Sequence, residues 1–199
     1  MSDHYFSADP SVPFKREPVT ATVWGQTLTL TSGAGVFSRG HLDHATGVLF
    51  RETDPPESGR ILDLGCGYGV IGLAIAAASP GTVVTGVDVN ERAVLLANEN
   101  ARSLGVADRF TACLPEAVPD DATYDEIWSN PPIRIGKAAL HELLLAWLAR
   151  LVPGGRMVMV VGKNLGADSL QRWLGEQGFP TERLASAKGF RVLEVRRGG

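Results

Sequence analysis

A short run in the middle of the sequence has side chains and spacing that suit chemistry on a planar NH2 group. Ser129-Asn130-Pro131-Pro132 follows the β-forming segment 124–128. Two consecutive prolines restrict the backbone and have no N–H, which leaves their carbonyls without competing amide donors nearby. The Asn130 side-chain oxygen and the Pro131 carbonyl could then accept both N–H bonds of the group. That would turn the nitrogen lone pair towards an incoming methyl group and stabilise the positive charge developing on nitrogen.

The same residues could also form nothing more than an Asx-Pro turn, which is a common structure in proteins. Their context decides between the two interpretations, because they follow a strand of a sheet whose other loops carry ligand-binding residues. We therefore predict Asn130, Pro131 and Pro132 as the catalytic residues. No strong base is evident nearby, and this chemistry needs none in the transition state.

A glycine-rich loop earlier in the chain has the composition of a cofactor-binding turn. Asp63 precedes Gly65, Gly67 and Gly69, and Cys66 lies between the first two glycines. Glycines allow a sharp turn and let a ligand approach backbone amides at a helix N-terminus. The loop also fits a dinucleotide-binding pattern, but the carboxylate of Asp63 would repel a pyrophosphate. It would instead favour a cation, such as the α-ammonium of an amino-acid moiety.

A second acid follows the next predicted strand. Asp88, with Val89 and Asn90 after it, lies 25 residues beyond Asp63. An acid at this place can accept hydrogen bonds from both hydroxyls of a ribose. Asp88 or Asn90 could alternatively cap the helix that begins near Glu91. The two roles are compatible if Asn90 caps the helix while Asp88 binds the ligand.

These residues need a scaffold that brings separate loops together, and the hydrophobic pattern predicts one. Strand and helix patterns alternate from residue 60 onward, which is typical of a doubly wound parallel sheet with helices on both faces. We predict strands at 61–64, 82–87, 109–113, 124–128 and 156–161, and helices at 70–78, 91–104, 138–151 and 168–177. Ligands of such sheets bind outside the carboxyl ends of the strands, where the glycine-rich loop and the Asn-Pro-Pro segment lie.

The predicted fold class is α/β: a Rossmann-like, doubly wound, seven-stranded, mostly parallel sheet with a C-terminal antiparallel strand, preceded by an N-terminal β-hairpin. The hairpin turns at Gly25-Gln26, a helix follows at 42–52, and Pro153-Gly154-Gly155 ends the helix at 138–151. We predict one domain over 1–199. It has a loose arm at 1–17, a hairpin and helix covering the site at 18–58, and a cofactor-binding core at 59–199.

Composition and charge exclude several other classes of protein. The 199 residues are 44% hydrophobic and carry a net charge of −3, which suits a globular protein and not one that coats bare nucleic acid. No apolar run approaches the roughly 18 residues of a membrane span, and the N-terminus has no secretory pattern. Cys66 and Cys113 are too few for a disulfide framework, and His41 and His44 lack partners for a metal site. We expect a cytoplasmic protein without a metal.

Three stretches together resemble the class I S-adenosylmethionine-dependent methyltransferases. They are 35–38 with Leu42-Asp43, the loop 63–69, and 129–137. Within that superfamily the chain looks like the "methyltransferase small" domain of the ribosomal small-subunit guanine-N2 methyltransferases. The spacing agrees from about Val19 to the end of the sequence.

The resemblance implies S-adenosyl-L-methionine as the cofactor and assigns most of the site. The glycine loop would hold the methionine end of the cofactor, Asp88 its ribose, and Cys113 with Leu114 would border its adenine. The cofactor-binding residues implied are Asp63, Gly65, Cys66, Gly67, Gly69, Asp88, Val89, Cys113, Leu114 and Asn130. The substrate-binding residues implied are Phe37, Arg39, Ile133, Arg134 and Lys137. Ile133 stands where many relatives carry an aromatic residue that stacks on a flipped base.

The expected activity is methyl transfer to guanine N2 of small-subunit (16S) rRNA, with rRNA or the small ribosomal subunit as partner. Related Asn-Pro-Pro enzymes methylate adenine N6 or a protein glutamine amide, so these acceptors and a small molecule stay open as alternatives. A nucleotide-binding module without methyl transfer is the non-enzymatic alternative.

Overall fold

The structure is a computed structural model, and it describes residues 15–36 and 40–199. Residues 1–14 of the predicted arm therefore lie outside the described residues, and so do Phe37 and Arg39. The first strand, β1 (Arg16–Val23), begins two residues before the hairpin segment that we predicted to start at residue 18.

The described residues form nine β-strands and five α-helices, joined by loops and three short 3-10 helices. The strands are β1 (Arg16–Val23), β2 (Gln26–Gly33), β3 (Ser58–Leu64), β4 (Gly81–Val87), β5 (Phe110–Cys113), β6 (Tyr124–Ser129), β7 (Leu151–Gly162), β8 (Thr181–Ala187) and β9 (Phe190–Arg196). The helices are α1 (His44–Arg51), α2 (Val70–Ala78), α3 (Glu91–Ser103), α4 (Lys137–Leu148) and α5 (Ala167–Glu176).

Seven strands form one sheet in the order β5-β4-β3-β6-β7-β9-β8, and β1 pairs with β2 in a separate hairpin. The five strands from β5 to β7 are parallel, whereas β9 runs antiparallel to both β7 and β8. These findings confirm the predicted seven-stranded sheet, its antiparallel C-terminal edge and the preceding hairpin. No helix in the described ranges is long and apolar enough to cross a membrane.

Helices cover both faces of the sheet, which explains why most of the buried side chains in its central strands are apolar. The hairpin, α1, α2 and α3 pack on one face, and α4 and α5 pack on the other. Trp128 and Ile127 are neighbours in β6, and both are completely buried, one on each face. Because side chains alternate along a strand, a strand that is covered on both sides needs an unbroken apolar run.

The direction of strand order reverses beside β3, whose neighbours are β4 on one side and β6 on the other. Asp63 pairs with Trp128, and Leu64 pairs with Ser129, so both strands end at the same level. The glycine loop and Asn130 therefore start side by side at the switch point. This is the place where open α/β sheets bind their ligands.

The hairpin turn lies one residue earlier than the sequence predicted. Val23 pairs with Gln26, so the two turn residues are Trp24 and Gly25 and not Gly25-Gln26. Both have positive φ, 47° and 77°, as a type I′ turn requires. Tryptophan is unusual in this conformation. It is held there because its Nε1 donates to the Thr53 carbonyl at 2.7 Å and its ring packs edge-on against other aromatic rings.

The boundary between α4 and β7 also differs from the prediction. α4 ends at Leu148, and β7 already begins at Leu151, so Pro153-Gly154-Gly155 lies inside a strand and does not end the helix directly. The segment fits in the strand as an irregularity at the point where the β6–β7 register shifts. Gly154 has a φ of 78°, and its N–H donates to the Arg197 carbonyl at 3.1 Å. Such bulges accept proline and glycine, which a regular strand does not.

Candidate active site

The glycine loop after β3 folds back over the end of β4. The N–H groups of Gly65 and Cys66 both donate to the Val87 carbonyl, at 2.8 and 3.0 Å. Gly65, Gly67 and Gly69 have φ of 73°, 56° and 91°, a region that favours glycine. A Cβ at Gly65 or Gly67 would have no atom within 4 Å, whereas one at Gly69 would collide with side chains below it. The first two glycines therefore border open space, and the third allows close packing.

Asp63 is completely buried beneath this loop. Its Oδ2 accepts the N–H of Gly72 at 2.8 Å, and its Oδ1 has no hydrogen-bond partner among residues 15–36 and 40–199. Burial raises the pKa of the Asp63 carboxyl from 3.8 to about 7; the Gly72 N–H opposes this shift, and the nearby Asp88 adds to it. One oxygen of this carboxyl group is thus left for a donor that the described residues do not supply. Its contact with a cofactor ammonium stays a prediction.

Asp88 joins the end of β4 to the glycine loop. Its Oδ2 accepts the N–H of Gly67 at 2.9 Å, and its Oδ1 accepts the N–H of Asn90 at 2.9 Å. Burial is the largest cause that raises the pKa of Asp88, and backbone N–H groups partly oppose it. Each carboxylate oxygen has a second lone pair, so these bonds leave acceptor capacity for ribose hydroxyls. The ribose contact itself stays a prediction.

Asn90 is the N-cap of α3, as one of the two interpretations of this segment required. Its Oδ1 accepts the N–H of Arg92 at 3.0 Å, while its Nδ2 donates to the Gly35 carbonyl at 2.8 Å. Asn90 caps the helix and Asp88 remains beside the loop, so the structure is compatible with both roles at once.

The predicted adenine-side residues occupy the edge formed by the ends of β4 and β5. Val89 is 46% exposed, an unusual exposure for valine, next to the partly buried Asp88. Cys113 is joined to this edge because the Asp88 N–H donates to its carbonyl at 3.3 Å. The Cys113 side chain and Tyr124 line another cavity, on the face of the sheet that α4 and α5 cover. Leu114 is half-buried. The adenine contacts of Cys113 and Leu114, and a cofactor contact of Val89, stay predictions.

Asn130 stands at the end of β6 with its side-chain amide held by two residues from another element. Its Nδ2 donates to Asp43 Oδ2 at 2.9 Å and to Thr46 Oγ1 at 3.1 Å. Both N–H bonds of the amide are therefore used, and its Oδ1 accepts no hydrogen bond within the described part of the chain. An amide in this arrangement offers one oxygen acceptor to a ligand.

The proline carbonyls next to Asn130 are less free than the sequence predicted. The Pro131 carbonyl accepts the N–H of Ile133 at 2.8 Å, and the Pro132 carbonyl accepts the N–H of Ile135 at 3.1 Å. The expectation that no amide donor competes for these carbonyls is wrong. Pro132 has φ −74° and ψ 73°, the angles of an inverse γ-turn, which brings a donor two residues onward back to the Pro131 oxygen. Only the second lone pair of that oxygen stays available.

The predicted substrate-binding residues after the prolines fall into two groups. Ile133 is half-buried and packs against the core on the α4 side of the sheet. Arg134 and Lys137 are exposed, on either side of Gly136 at the start of α4. Their place beside Asn130 is compatible with contact to a substrate, and their role stays a prediction.

A small cavity collects the groups that face one another at the switch point. Its lining residues are Asp43, Thr46, Gly65, Cys66, Gly67, Tyr68, Val70, Ile71 and Asn130. Four of the predicted site residues, Gly65, Cys66, Gly67 and Asn130, thus meet around one space. Asp63 and Pro131 are buried next to these residues in the chain and do not line the cavity.

Sequence reasoning missed five residues of this cavity, the polar Asp43, Thr46 and Tyr68 and the apolar Val70 and Ile71. Tyr68 is 2% exposed, and its hydroxyl has no hydrogen-bond partner among the residues that the structure describes. Burial raises the pKa of the Tyr68 hydroxyl, and the Asp43 carboxylate adds to that effect. Asp43 carried a signal, because it belongs to the 42–43 part of the family resemblance, but nothing in the sequence pointed to its partner. Within the described ranges, no three His, Cys, Asp or Glu side chains could together hold a metal ion.

Comparison of the sequence with known families gives a match over most of its length. The model of the family described as "Methyltransferase small domain" matches residues 27–194. The chain is also 34% identical to YbxB of Bacillus subtilis (strain 168), an uncharacterised protein. That alignment covers 99% of this chain and 100% of YbxB.

Relatives with a stated activity are longer proteins. The chain is 35% identical to Ribosomal RNA small subunit methyltransferase C of Chromohalobacter salexigens, over 84% of this chain and 51% of that protein. Its fold is similar to that of the T. thermophilus 16S rRNA N2 methyltransferase RsmC in complex with AdoMet and guanosine. The TM-score is 0.76 with 26% identity, over 94% of this chain and 52% of that one. The chain thus spans about half the length of these two proteins.

Proposed function

Because the chain belongs to the Methyltransferase small domain family, we propose that it methylates the exocyclic N2 of a guanine in 16S rRNA. S-adenosyl-L-methionine is its methyl donor, as the family and the AdoMet-bound relative indicate. The guanine assignment is supported by relatives named as small-subunit rRNA methyltransferases and by the guanosine in the T. thermophilus complex. An rRNA substrate would place the reaction in the cytoplasm.

The small cavity at the switch point, here called the cofactor cavity, suits a molecule that combines a cation with a flexible amino-acid end. Gly65 and Gly67 border open space, because a Cβ at either would meet no described atom within 4 Å. The N-cap of α2, Gly69, has no side chain to cap the helix, so the N–H groups of its first turn other than that of Gly72 can bind an anionic group such as a carboxylate. Two buried polar atoms, Asp63 Oδ1 and the Tyr68 hydroxyl, still need partners. Asp88 would accept the ribose hydroxyls at the edge of β4.

One observation carries the proposal for the chemistry: the Asn130 amide has both N–H bonds engaged and one oxygen left as acceptor. That oxygen would accept one N–H of the guanine NH2, and the free lone pair of the Pro131 carbonyl would accept the other. The two contacts hold the nitrogen lone pair towards the methyl group and stabilise positive charge on nitrogen. S-adenosyl-L-methionine supplies a methyl group whose bond to sulfur breaks as the N–C bond forms, and a proton then leaves nitrogen for solvent.

Four exposed basic residues could meet the phosphates of the RNA. Arg134 and Lys137 follow Asn130, and two further lysines lie on the same edge of the sheet. Lys163 comes directly after β7, and its N–H donates to the Gly189 carbonyl at 2.8 Å, next to Lys188 in the β8–β9 turn. Within the described part of the chain, none of the four has an ion-pair partner, so their charges are available to an anionic substrate.

The test is methyl incorporation from radiolabelled S-adenosyl-L-methionine into small ribosomal subunits, deproteinised rRNA and a protein fraction. The substrates come from cells that lack this protein, so that the target is unmodified. We expect label in rRNA, with intact subunits labelled better than naked rRNA, because an assembled subunit presents the target in a fixed shape. Label in protein with none in either RNA sample would overturn the rRNA proposal in favour of a glutamine amide.

A further inference from the structure

Asn130 is bonded to residues more than eighty positions earlier in the chain, a connection that no motif in the sequence records. Its amide nitrogen donates to Asp43 Oδ2 at 2.9 Å and to Thr46 Oγ1 at 3.1 Å. Thr46 is 2% exposed, so water cannot easily replace these bonds. The Thr46 hydroxyl in turn lies 3.5 Å from Asp43 Oδ2, which closes a small ring of three side chains.

The carboxylate makes this arrangement directional. A side-chain amide can rotate by half a turn and exchange the places of its oxygen and its nitrogen at little cost in shape. If the Asn130 amide turned in this way, its oxygen would face the Asp43 carboxylate, which has no proton to donate. Two oxygens at hydrogen-bond distance repel each other, and the buried acceptors would lose their donor. Asp43 therefore permits only the orientation in which the Asn130 oxygen is left for a ligand.

We propose that Asp43 and Thr46, here called the positioning pair, fix the orientation of the catalytic Asn130 amide. The proposal rests on the function proposed above, because it matters only if the Asn130 oxygen accepts an N–H of the acceptor group. Neither residue needs to touch the reacting atoms. The pair acts through Asn130, in the way that outer hydrogen-bond partners hold the ligands of a metal.

The position of α1 makes the pair rigid. Asp43 is the N-cap of α1, and its Oδ2 also accepts the N–H of Thr46 at 3.1 Å. α1 is buried along one side by residues that include Val48, Leu49 and Phe50, so its first turn cannot move independently of the core. Catalytic geometry is most precise when the supporting residues stand on packed helices and strands.

A purely structural role for Asp43, as a helix cap, is the competing explanation, and one substitution separates the two. Serine caps helices about as well as aspartate, so Asp43→Ser should leave α1 intact. Its shorter side chain, however, takes away the carboxylate oxygen to which the Asn130 amide donates, and the Thr46 hydroxyl that remains can donate or accept, so the Asn130 amide can take either orientation. Turnover should fall by about 10- to 100-fold, the usual effect of losing an outer partner, with cofactor affinity and melting temperature unchanged. Asp54→Ser, which removes an exposed carboxylate beyond the other end of α1, is the matched control and should behave as the native protein.

Two double variants test whether the pair acts through Asn130. In an Asn130→Ala background, Asp43→Ser should cause no further loss of turnover, because there is no amide left to orient. Asn130→Asp alone should be nearly inactive, since it sets two carboxylates against each other. Adding Asp43→Asn to it should recover at least about 10-fold, because the new amide donates to the new carboxylate. Additive losses in the first case, or no recovery in the second, would overturn the proposal.

A measurement without acceptor or cofactor distinguishes failure of this proposal from failure of the proposed function. The side-chain NH2 of Asn130 gives its own proton signals in nitrogen-resolved NMR spectra. In the native protein these protons should exchange with water at least about 10-fold more slowly than those of the exposed Asn164. Thr46→Val should remove that protection, and Thr46→Ser should keep it. Native protons that exchange as fast as those of Asn164 would contradict the positioning pair, whatever the acceptor proves to be.

Discussion

The buried carboxyl of Asp63 is the most unusual single group in the site. It lies between sheet and helix, where one oxygen accepts the Gly72 N–H and the other has no partner within the described part of the chain. A carboxylate in such surroundings is costly, and burial raises its pKa to about 7. An acid with this property next to a cofactor cavity is typical of a functional site, where a bound cation can repay the cost of burial.

This group should make the stability of the cofactor-free protein depend on pH. Between pH 4 and 7 the folded protein keeps the Asp63 proton and the unfolded chain, with a pKa near 3.8, has lost it, so stability falls as pH rises. Asparagine does not titrate, so the free energy of unfolding of Asp63→Asn should fall less steeply with pH. The difference in slope should be up to about 1.4 kcal/mol per pH unit. Urea denaturation of both proteins from pH 4 to 8 measures it, and parallel curves would contradict the assignment.

Asn130 is predicted to act in methyl transfer and not in cofactor binding. Asn130→Ala should lower methyl transfer by about two orders of magnitude or more, the scale for losing one preorganised hydrogen-bonding group. Cofactor affinity should stay within a few-fold of native, because the glycine loop and Asp88 are untouched. Turnover numbers and calorimetric affinities give the two values separately. A variant that keeps native turnover would reduce Asn130 to a turn residue.

At the scale of elements, α2 lies unusually close to the sheet, and Gly72 allows it. A Cβ there would stand 2.7 Å from Phe110 Cε2, 3.0 Å from Val84 Cγ1 and 3.1 Å from Asp63 Cβ. The glycine thus sets the distance between helix and sheet, and with it the position of the glycine loop above Asp63.

Two glycine-to-alanine changes should therefore have opposite signs. Gly72→Ala forces the helix away from the sheet and should cost about 1–3 kcal/mol, as overpacking does. Gly175→Ala is the matched control, because this residue is also helical, in α5, and a Cβ there meets no atom within 4 Å. It should stabilise the protein by about 0.5–1 kcal/mol through helix propensity. Thermal or urea denaturation measures both changes in the free energy of unfolding. An unchanged value for Gly72→Ala would contradict the tight packing of α2 on the sheet.

The sequence predicted most elements because their signals are local. The apolar run of α2, the glycine loop and the Asn-Pro-Pro segment each specify their own structure, and α2 has the bounds that were predicted. The Trp24-Gly25 turn was missed because a tryptophan with positive φ is held by contacts distant in sequence. The start of β7 was missed because a bulge admits proline and glycine, which sequence patterns associate with the end of an element.

The site was predictable to a similar extent and for the same reason. Asn130 could be identified from its own neighbours, and Gly65 and Gly67 from theirs. The positioning pair could not, because its contact with Asn130 spans 87 residues and exists only after α1 has packed on the sheet. The inverse γ-turn at Pro132 was also beyond reach, since proline limits φ but leaves ψ to be decided by the fold.

At the scale of the whole molecule, the overall charge and the charge near the site have opposite signs. The chain carries −3 in total, yet Arg134, Lys137, Lys163 and Lys188 are exposed on the edge of the sheet that holds Asn130. An acidic protein with a local basic edge should bind free RNA weakly and use few phosphate contacts. The dependence of that binding on salt should then be shallow.

Replacing these four basic residues by glutamine should lower methylation of small subunits by about 10-fold or more. Cofactor affinity should not change, because none of the four lines the cofactor cavity. Exposed lysines and arginines contribute little to stability, so the variant should also remain folded. Replacing Arg60, Arg102 and Arg196 is the control for lost charge, because these exposed residues lie at the opposite edge, at the start of β3, in the last turn of α3 and at the end of the antiparallel β9. Equal losses in both variants would mean that the basic edge has no special part in binding the subunit.

Nucleoside analysis of the methylated RNA shows directly whether this chain methylates guanine N2. Small subunits from cells without the protein are incubated with it and labelled S-adenosyl-L-methionine, and the rRNA is digested to nucleosides, which are separated by chromatography against N1-, N2- and N7-methylguanosine standards. We expect label in N2-methylguanosine alone, and far less of it when the Asn130→Ala variant is used. Label in N6-methyladenosine, or in no nucleoside at all, would contradict the proposed function.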